Sequence, residues 1–181
     1  MHPDELRAQL EALHRESFGW ALACSDGDAA RAESVLQRSY LKVLESAGTS
    51  SFQARSSFKT WFFGVVRNTA AEERRRWIWR KLRLLPQESA DAVASERKPA
   101  EQSLAESELR EHFRRMLGEL PRRQREVLHL VFYQELTLEE AAVAMAVGIG
   151  SARTHYERGK KKLRAMLEKE QVVAETRRAR A

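Results

Sequence analysis

This 181-residue chain has a single cysteine, Cys24, so no internal disulfide can form and a reducing compartment is implied. Cys24 sits among Trp20, Ala21 and Leu22 and reads as a small core residue rather than a reactive thiol. Proline (4) and glycine (8) are scarce while 32% of residues are charged, a balance that favours helices over a strand-rich fold. There is no apolar run long enough to span a bilayer and no signal-peptide core at the start, so the expected location is cytoplasmic. Signs of catalysis are also missing. His2, His14, His112, His129 and His155 are scattered without metal-ligand spacing, and no glycine-rich phosphate loop is present. Cys24 lacks an evident base, and Glu139 and Glu140 are adjacent and cannot share a helix face. No enzyme activity, metal or cofactor is expected.

What the chain does have is charge, unevenly placed. Residues 1–50 carry a net −3, 51–85 a net +7, 86–120 a net −3 and 121–181 a net +5. Two basic zones alternating with two acidic ones suit a protein that grips a polyanion at two places and turns other surfaces to a protein partner. Between the basic zones, Leu85-Pro86 to Pro99 is small, polar and bracketed by prolines, the composition of a flexible tether. The expected architecture is all-α: a helical domain over 1–85, a linker over 86–99, a second helical domain over 100–169, and a frayed basic tail over 170–181.

Three helices are expected in the first domain. Leu6, Leu10, Leu13, Phe18 and Trp20 to Leu22 mark one, bent near Gly19. Asp26 or Asp28 could cap a second, with Val35, Leu36, Tyr40, Val43 and Leu44 on one face. A third starts at Ser56 or Ser57 and runs to about Leu84. Near and along it, Phe52, Phe58, Trp61, Phe62, Phe63, Trp77 and Trp79 interleave with Lys59, Arg67, Arg74, Arg75, Arg76, Arg80 and Lys81. Aromatic faces stack on unpaired bases while cations hold the backbone, so this mixture suits single-stranded DNA. Phe58, Phe62 and Val65 at helical spacing read as core, leaving Phe52, Trp61 and Arg74 to Arg76 as the better contact candidates.

The second domain ends in a helix-turn-helix. Thr137-Leu138-Glu139-Glu140 has the spacing of a capping box, and Ala141, Ala142, Met145 and Ala146 follow on one small-residue face. Gly148 is expected to supply a positive φ in the turn. A helix from about Ser151 to Lys169 then carries Arg153, Thr154, His155, Arg158, Lys160, Lys161, Lys162 and Arg164. In this geometry the early residues face base edges and flanking cations reach phosphates.

Residues 10–83 and 100–168 together resemble the extracytoplasmic-function group of bacterial sigma factors. Ala32-Glu33-Ser34-Val35-Leu36-Gln37-Arg38-Ser39-Tyr40-Leu41 is similar to the family's first helix motif. Ser57-Phe58-Lys59-Thr60-Trp61-Phe62 with Val66-Arg67-Asn68 is similar to its second. Leu120-Pro121 with Arg125, Thr137 with Glu139 to Ala142, and Gly150 to Arg153 resemble its C-terminal signature. The resemblance implies a promoter-specificity subunit of RNA polymerase that docks on core polymerase through Glu33, Gln37, Tyr40 and Leu41. It implies minus-ten capture and strand opening by Phe52, Arg55, Ser56, Lys59, Trp61, Asn68, Arg74 and Arg75. Minus-thirty-five recognition would fall to Arg153, Thr154, Glu157, Arg158 and Lys161. An anti-sigma factor, often membrane-bound, is the further partner it implies. Ser34, Arg38 and Arg55 depart from the family pattern, and Gly150-Ser151-Ala152 is a mild variant of its turn. Two other binding readings stand beside this one: an operator-binding regulator working without polymerase, which leaves the aromatic, basic helix unexplained, and a decoy that occupies polymerase or an inhibitor.

Overall fold

The computed structural model of the chain describes residues 3–45, 56–83 and 115–178, with side chains as far as Lys169. The linker at 86–99, the stretch 100–114 and the candidates Phe52 and Arg55 lie outside the described residues. The elements are α1 (Pro3–Ala12), α2 (His14–Cys24), α3 (Ala29–Glu45), α4 (Phe58–Arg83), α5 (Arg122–Phe132), α6 (Leu138–Ala144) and α7 (Ile149–Arg178).

Local signals explain most of these boundaries. Proline in the first turn of α1 has its fixed φ suited to a helix start, and Asp4 and Glu5 follow where negative charge complements the helix dipole. Of the two aspartates that could cap α3, Asp28 does so, its Oδ1 accepting from the Arg31 amide at 3.0 Å. Asp26 instead sits in the preceding turn at φ 58°, beside Gly27 at φ 85°. Ser57 caps α4, its Oγ accepting from the Thr60 amide at 3.2 Å.

Three expectations are corrected. The first helix breaks at Leu13, between α1 and α2, and runs unbroken through Gly19. A Cβ at Gly19 would meet the Gln134 side chain at an ordinary 3.9 Å, and the glycine marks no bend. The buried stripe of α3 is Ala32, Val35, Leu36, Ser39 and Val43, which leaves Leu44 exposed. At the C-terminal end α7 continues to Arg178, so residues 170–178 are helical rather than a frayed tail.

The helix-turn-helix is built as its sequence suggests at one end and differently at the other. Thr137 and Glu140 close the capping box, with Thr137 N–H to Glu140 Oε2 at 2.9 Å and Glu140 N–H to Thr137 Oγ1 at 3.2 Å. The positive φ of the turn falls on Ala146 (50°) and not on Gly148. Val147 N–H reaches back to the Ala142 carbonyl and Ala146 N–H to Val143, the paired bonds of a Schellman closure. That closure needs its left-handed residue directly after the helix cap, at Ala146, while the Gly148 carbonyl receives the first bonds of α7 from Ser151 and Ala152. An alanine in that conformation costs about 1 kcal/mol more than glycine. Ala146→Gly should therefore raise unfolding free energy by roughly 0.5–1 kcal/mol, read as a higher denaturant midpoint at unchanged slope. A fall in midpoint would show that the turn does not hold this conformation.

Packing joins the two halves. Trp20, Val35, Leu36, Phe62, Phe63 and Val66 from α2, α3 and α4 form one buried cluster with Val127 and Leu130 of α5, Leu136 of the loop that follows, Ala141 and Ala144 of α6, and its C-cap Met145. A second, smaller cluster holds Met116, Leu117, Leu120, Leu128 and Leu163, seating α7 on α5. At that crossing a Cβ on Gly159 would lie 3.0 Å from Leu128 Cδ1 and 3.2 Å from Gln124 Cβ, so a larger residue would require these side chains to shift by a few tenths of an ångström.

Candidate nucleic-acid interface

The cationic helix α7 has two faces. Ala152, Gly159 and Leu163 are buried against its neighbours. Arg153, Thr154, Glu157, Arg158 and Lys161 are exposed, so all five upstream-element candidates lie on the solvent side of one helix. Their spacing of three, four and five residues makes this a single stripe. Thr154 Oγ1 donates to the Gly150 carbonyl at 2.9 Å, which occupies its hydroxyl proton and leaves its methyl and lone pairs available. The lysine run divides. Lys160 lies 4.9 Å from the Tyr156 ring and 3.9 Å from Glu157, and Lys162 donates to the Glu119 carbonyl at 3.0 Å. Lys161 is exposed and, among the described residues, is not paired within the protein.

The strand-opening candidates are placed less evenly. Trp61, Asn68 and Arg75 recur every seven residues of α4 and share a face; Asn68 and Arg75 are exposed and Trp61 is half-buried against Phe58, 5.5 Å between ring centres. Arg74 is partly exposed beside them. Phe58, Phe62 and Phe63 are core, as their spacing suggests. Ser56 is partly buried at the approach to α4. Lys59 is turned inward: its Nζ pairs with Glu16 Oε2 at 2.7 Å and donates to the Gln134 carbonyl at 2.9 Å. Beyond Arg75 the helix carries Trp77 and Trp79, 46% and 63% exposed, large aromatics that no core absorbs.

On α3, Glu33, Gln37 and Leu41 are exposed at intervals of four, one continuous stripe. Tyr40 does not join it. Its ring stacks on Phe62 at 5.6 Å, its hydroxyl bonds His14 Nδ1 at 2.9 Å, and burial pushes its phenol up from the usual range. Arg38, where the family pattern departs, pairs with Glu73 of α4, and Lys42 pairs with Glu72 at 2.6 Å, so the departure is used inside the protein. Cys24 is buried, and desolvation with the nearby Glu126 charge holds its thiol well above the ordinary range, so it stays protonated.

Sequence reasoning missed the contacts that hold the two halves together. Arg67 Nε donates to Glu126 Oε2 at 3.0 Å with both side chains almost wholly buried, and Arg122 Nε reaches Glu126 Oε1 at 2.6 Å. The Trp20 indole donates to the Phe63 carbonyl at 2.9 Å and stacks on His129, 5.5 Å between centres. A Cβ at Gly64 would lie 3.7 Å from the Ala144 carbonyl, where α4 meets α6. Arg125 pairs with Asp26 across the same junction. The one local hint is Glu126, an acid four residues before Leu130 on the apolar face of α5.

Among the described residues no helix is long and apolar enough to cross a membrane, and no group of three or more His, Cys, Asp or Glu could hold a metal ion. Residues 110–163 match the family described as Sigma-70, region 4, a span that takes in α5, α6 and the first half of α7. The chain is 30% identical over 164 residues, 91% of its length and 86% of the relative's, to the ECF RNA polymerase sigma factor EcfG of Rhodopseudomonas palustris strain TIE-1. It is also 30% identical over 144 residues, 78% of its length and 73% of the relative's, to the ECF RNA polymerase sigma factor SigX of Bacillus subtilis strain 168. In fold it is similar to the sigma factor RpoE of Bartonella quintana, solved in complex with the anti-sigma factor NepR, at a TM-score of 0.70, 21% identity and coverage of 91% and 97% of the two chains. CnrH, solved with the cytosolic domain of CnrY, is similar at a TM-score of 0.58, 19% identity and coverage of 90% and 89%. With described residues that fold into helices, an exposed cationic helix after the turn and this identity over nine-tenths of its length, the chain belongs to the ECF RNA polymerase sigma factors.

Proposed function

We propose that the chain divides promoter recognition between its two halves. Arg153, Thr154, Glu157, Arg158 and Lys161 of α7 read the minus-thirty-five element in the major groove. Trp61, Asn68, Arg74 and Arg75 of α4, with Phe52, Arg55 and Ser56 before it, hold the opened minus-ten strand. Glu33, Gln37 and Leu41 of α3 dock on core polymerase, with Tyr40 stiffening the helix from behind. The chain then acts as a non-catalytic subunit in the cytoplasm, where core polymerase works, and takes an anti-sigma factor as a further partner, a reading supported by the complex of RpoE with the anti-sigma factor NepR. The observation that carries this reading is the split of α7, five candidate contacts exposed on one side and Ala152, Gly159 and Leu163 buried on the other.

The test is transcription by core polymerase on genomic DNA of the source organism, with 5′ ends sequenced. Chain-dependent start sites preceded by two shared elements at fixed spacing are expected. Arg153→Ala and Arg158→Ala should each lower output from those sites roughly 5- to 100-fold, the worth of one bidentate base contact, with core binding unchanged on gel filtration. Loss of core binding in both variants would sink this division of labour. Nanomolar, sequence-specific duplex binding without polymerase would point to an operator-binding regulator instead.

A further inference from the structure

The last turns of α4 leave the body of the protein. From Arg75 to Arg83 every residue is exposed, which makes an arm about 13 Å long at 1.5 Å per residue. Residues 74–83 contain six cations, Arg74, Arg75, Arg76, Arg80, Lys81 and Arg83, and no acid. They also hold Trp77, Ile78, Trp79 and Leu82, 42–63% exposed. A large apolar patch left in water marks a contact surface. Neither minus-thirty-five recognition nor capture of the opened strand uses it.

The patch has a direction. At about 100° per residue, Ile78, Trp79 and Leu82 fall within about 100° of one another. Leu82 lies one heptad beyond Arg75, so this face continues the stripe of Trp61, Asn68 and Arg75. Arg74 and Lys81 lie about 100° to one side of its centre, and Arg76 and Arg83 about 100° to the other. Trp77 is on the back, where Arg31 of α3 and Lys81 approach its ring at 5.7 and 5.2 Å and brace the arm. Arg76 reaches Glu73 at 3.7 Å at its root. An apolar front with cations on both flanks is the cross-section of a helix laid in the major groove, where thymine methyl groups line the floor and phosphates form both walls. Capture of a single strand uses aromatic faces and a basic track, and gives the aliphatic Ile78 and Leu82 no task.

We infer that this arm enters the major groove of the intact duplex just upstream of the opened strand and reads thymine methyl groups through Ile78, Trp79 and Leu82. The inference rests on the division of recognition proposed above and adds a third point of sequence readout to it. Phe52, Arg55 and Ser56 precede α4 in the chain and the half that carries α7 follows it, so the end of α4 faces the upstream side of the opening. Ile78 to Leu82 lie about 15–21 Å beyond Asn68 along the helix, which is about four to six base pairs at 3.4 Å per step.

Two synthetic promoters, transcribed by core polymerase with the full-length chain, test it. Both carry one chain-dependent start site and differ only in the pairs upstream of the opened strand that the arm would reach. One holds thymine there and the other deoxyuridine, which pairs identically and lacks the methyl group. A buried methyl is worth about four-fold, so the thymine promoter should give about four- to fifteen-fold more transcript. The double variant Trp79→Ala, Leu82→Ala should bring the two promoters within about two-fold of each other, with helicity and core binding retained because both side chains are exposed. Arg83→Ala should lower output from both promoters equally, as loss of a phosphate contact does. Equal output from the two promoters with the wild-type chain would overturn the inference, as would a thymine preference that survives in the double variant. Equal output together with Trp79-dependent flotation on phosphatidylglycerol vesicles would assign the arm to a lipid surface instead. No chain-dependent transcript from either promoter would overturn the promoter reading itself, a separate failure.

Discussion

Trp20→Ala is expected to lower the unfolding free energy by about 3–5 kcal/mol, the range for truncating a large aromatic in a packed core. Trp20 is completely buried, and its ring lies against Phe63 of α4 and His129 of α5, 6.2 and 5.5 Å between centres. One side chain thus ties α2 to an element from each half. The truncation removes apolar area, leaves a void that three helices cannot all close, and deletes the indole bond to the Phe63 carbonyl. Against a total of 5–15 kcal/mol for an ordinary domain, such a loss is a large share. Trp20→Phe should keep most of the packing and cost roughly 1–2 kcal/mol, mainly the hydrogen bond and part of the ring. Urea titrations of the three proteins check this. A loss below about 1 kcal/mol for the alanine variant would mean that the halves do not share the core described above.

The same residue shows why some of the fold is legible in the sequence and some is not. Helix starts are local, and Asp28, Ser57 and Thr137 each act within three residues of themselves. The two faces of α7 are also local, because a 3.6-residue period separates Arg153, Glu157 and Arg158 from Ala152, Gly159 and Leu163 without reference to the rest of the chain. The roles of small residues are not local. Gly19 reads as a bend and Gly148 as a strained turn. Gly19 in fact lies inside an unbroken helix, and the strain of the turn sits on Ala146 because the Schellman bonds fix where the left-handed residue must fall.

Long-range pairing is the least legible. Lys59 reads as a strand contact from its aromatic neighbours, yet it bridges Glu16 and the Gln134 carbonyl. Arg67 lies 59 residues from Glu126, and nothing in either neighbourhood names the other. Tyr40 falls inside a family motif for partner docking, but its ring is committed to Phe62 and its hydroxyl to His14. A motif gives the residues that share a task; which of them are exposed to perform it depends on how α3 is rotated on α4.

Acidification should weaken the junction through His129. Its ring is enclosed by Trp20 and Tyr133, and its Nε2 accepts from the Gln134 side chain at 3.2 Å, which requires the neutral form. Around this cluster the charged groups are Glu16 and Lys59, which pair with each other at 2.7 Å and largely cancel. Burial lowers the His129 pKa from 6.5 to about 4. Between those values the unfolded chain binds a proton that the folded chain refuses, so stability falls as pH falls. The contribution is fully present well above pH 6.5, roughly 1 kcal/mol is lost by pH 5.5, and roughly 3 kcal/mol by pH 4. Carboxylates titrate near the lower end of this window, so the informative quantity is the difference between wild type and His129→Asn. That variant should be less stable than wild type at pH 7.5 and lose less stability between pH 7 and 5. Because the ring packs on Trp20, removing Trp20 should flatten the same profile by admitting water to His129. Parallel pH profiles for wild type and His129→Asn would show instead that the imidazole is already hydrated in the folded protein.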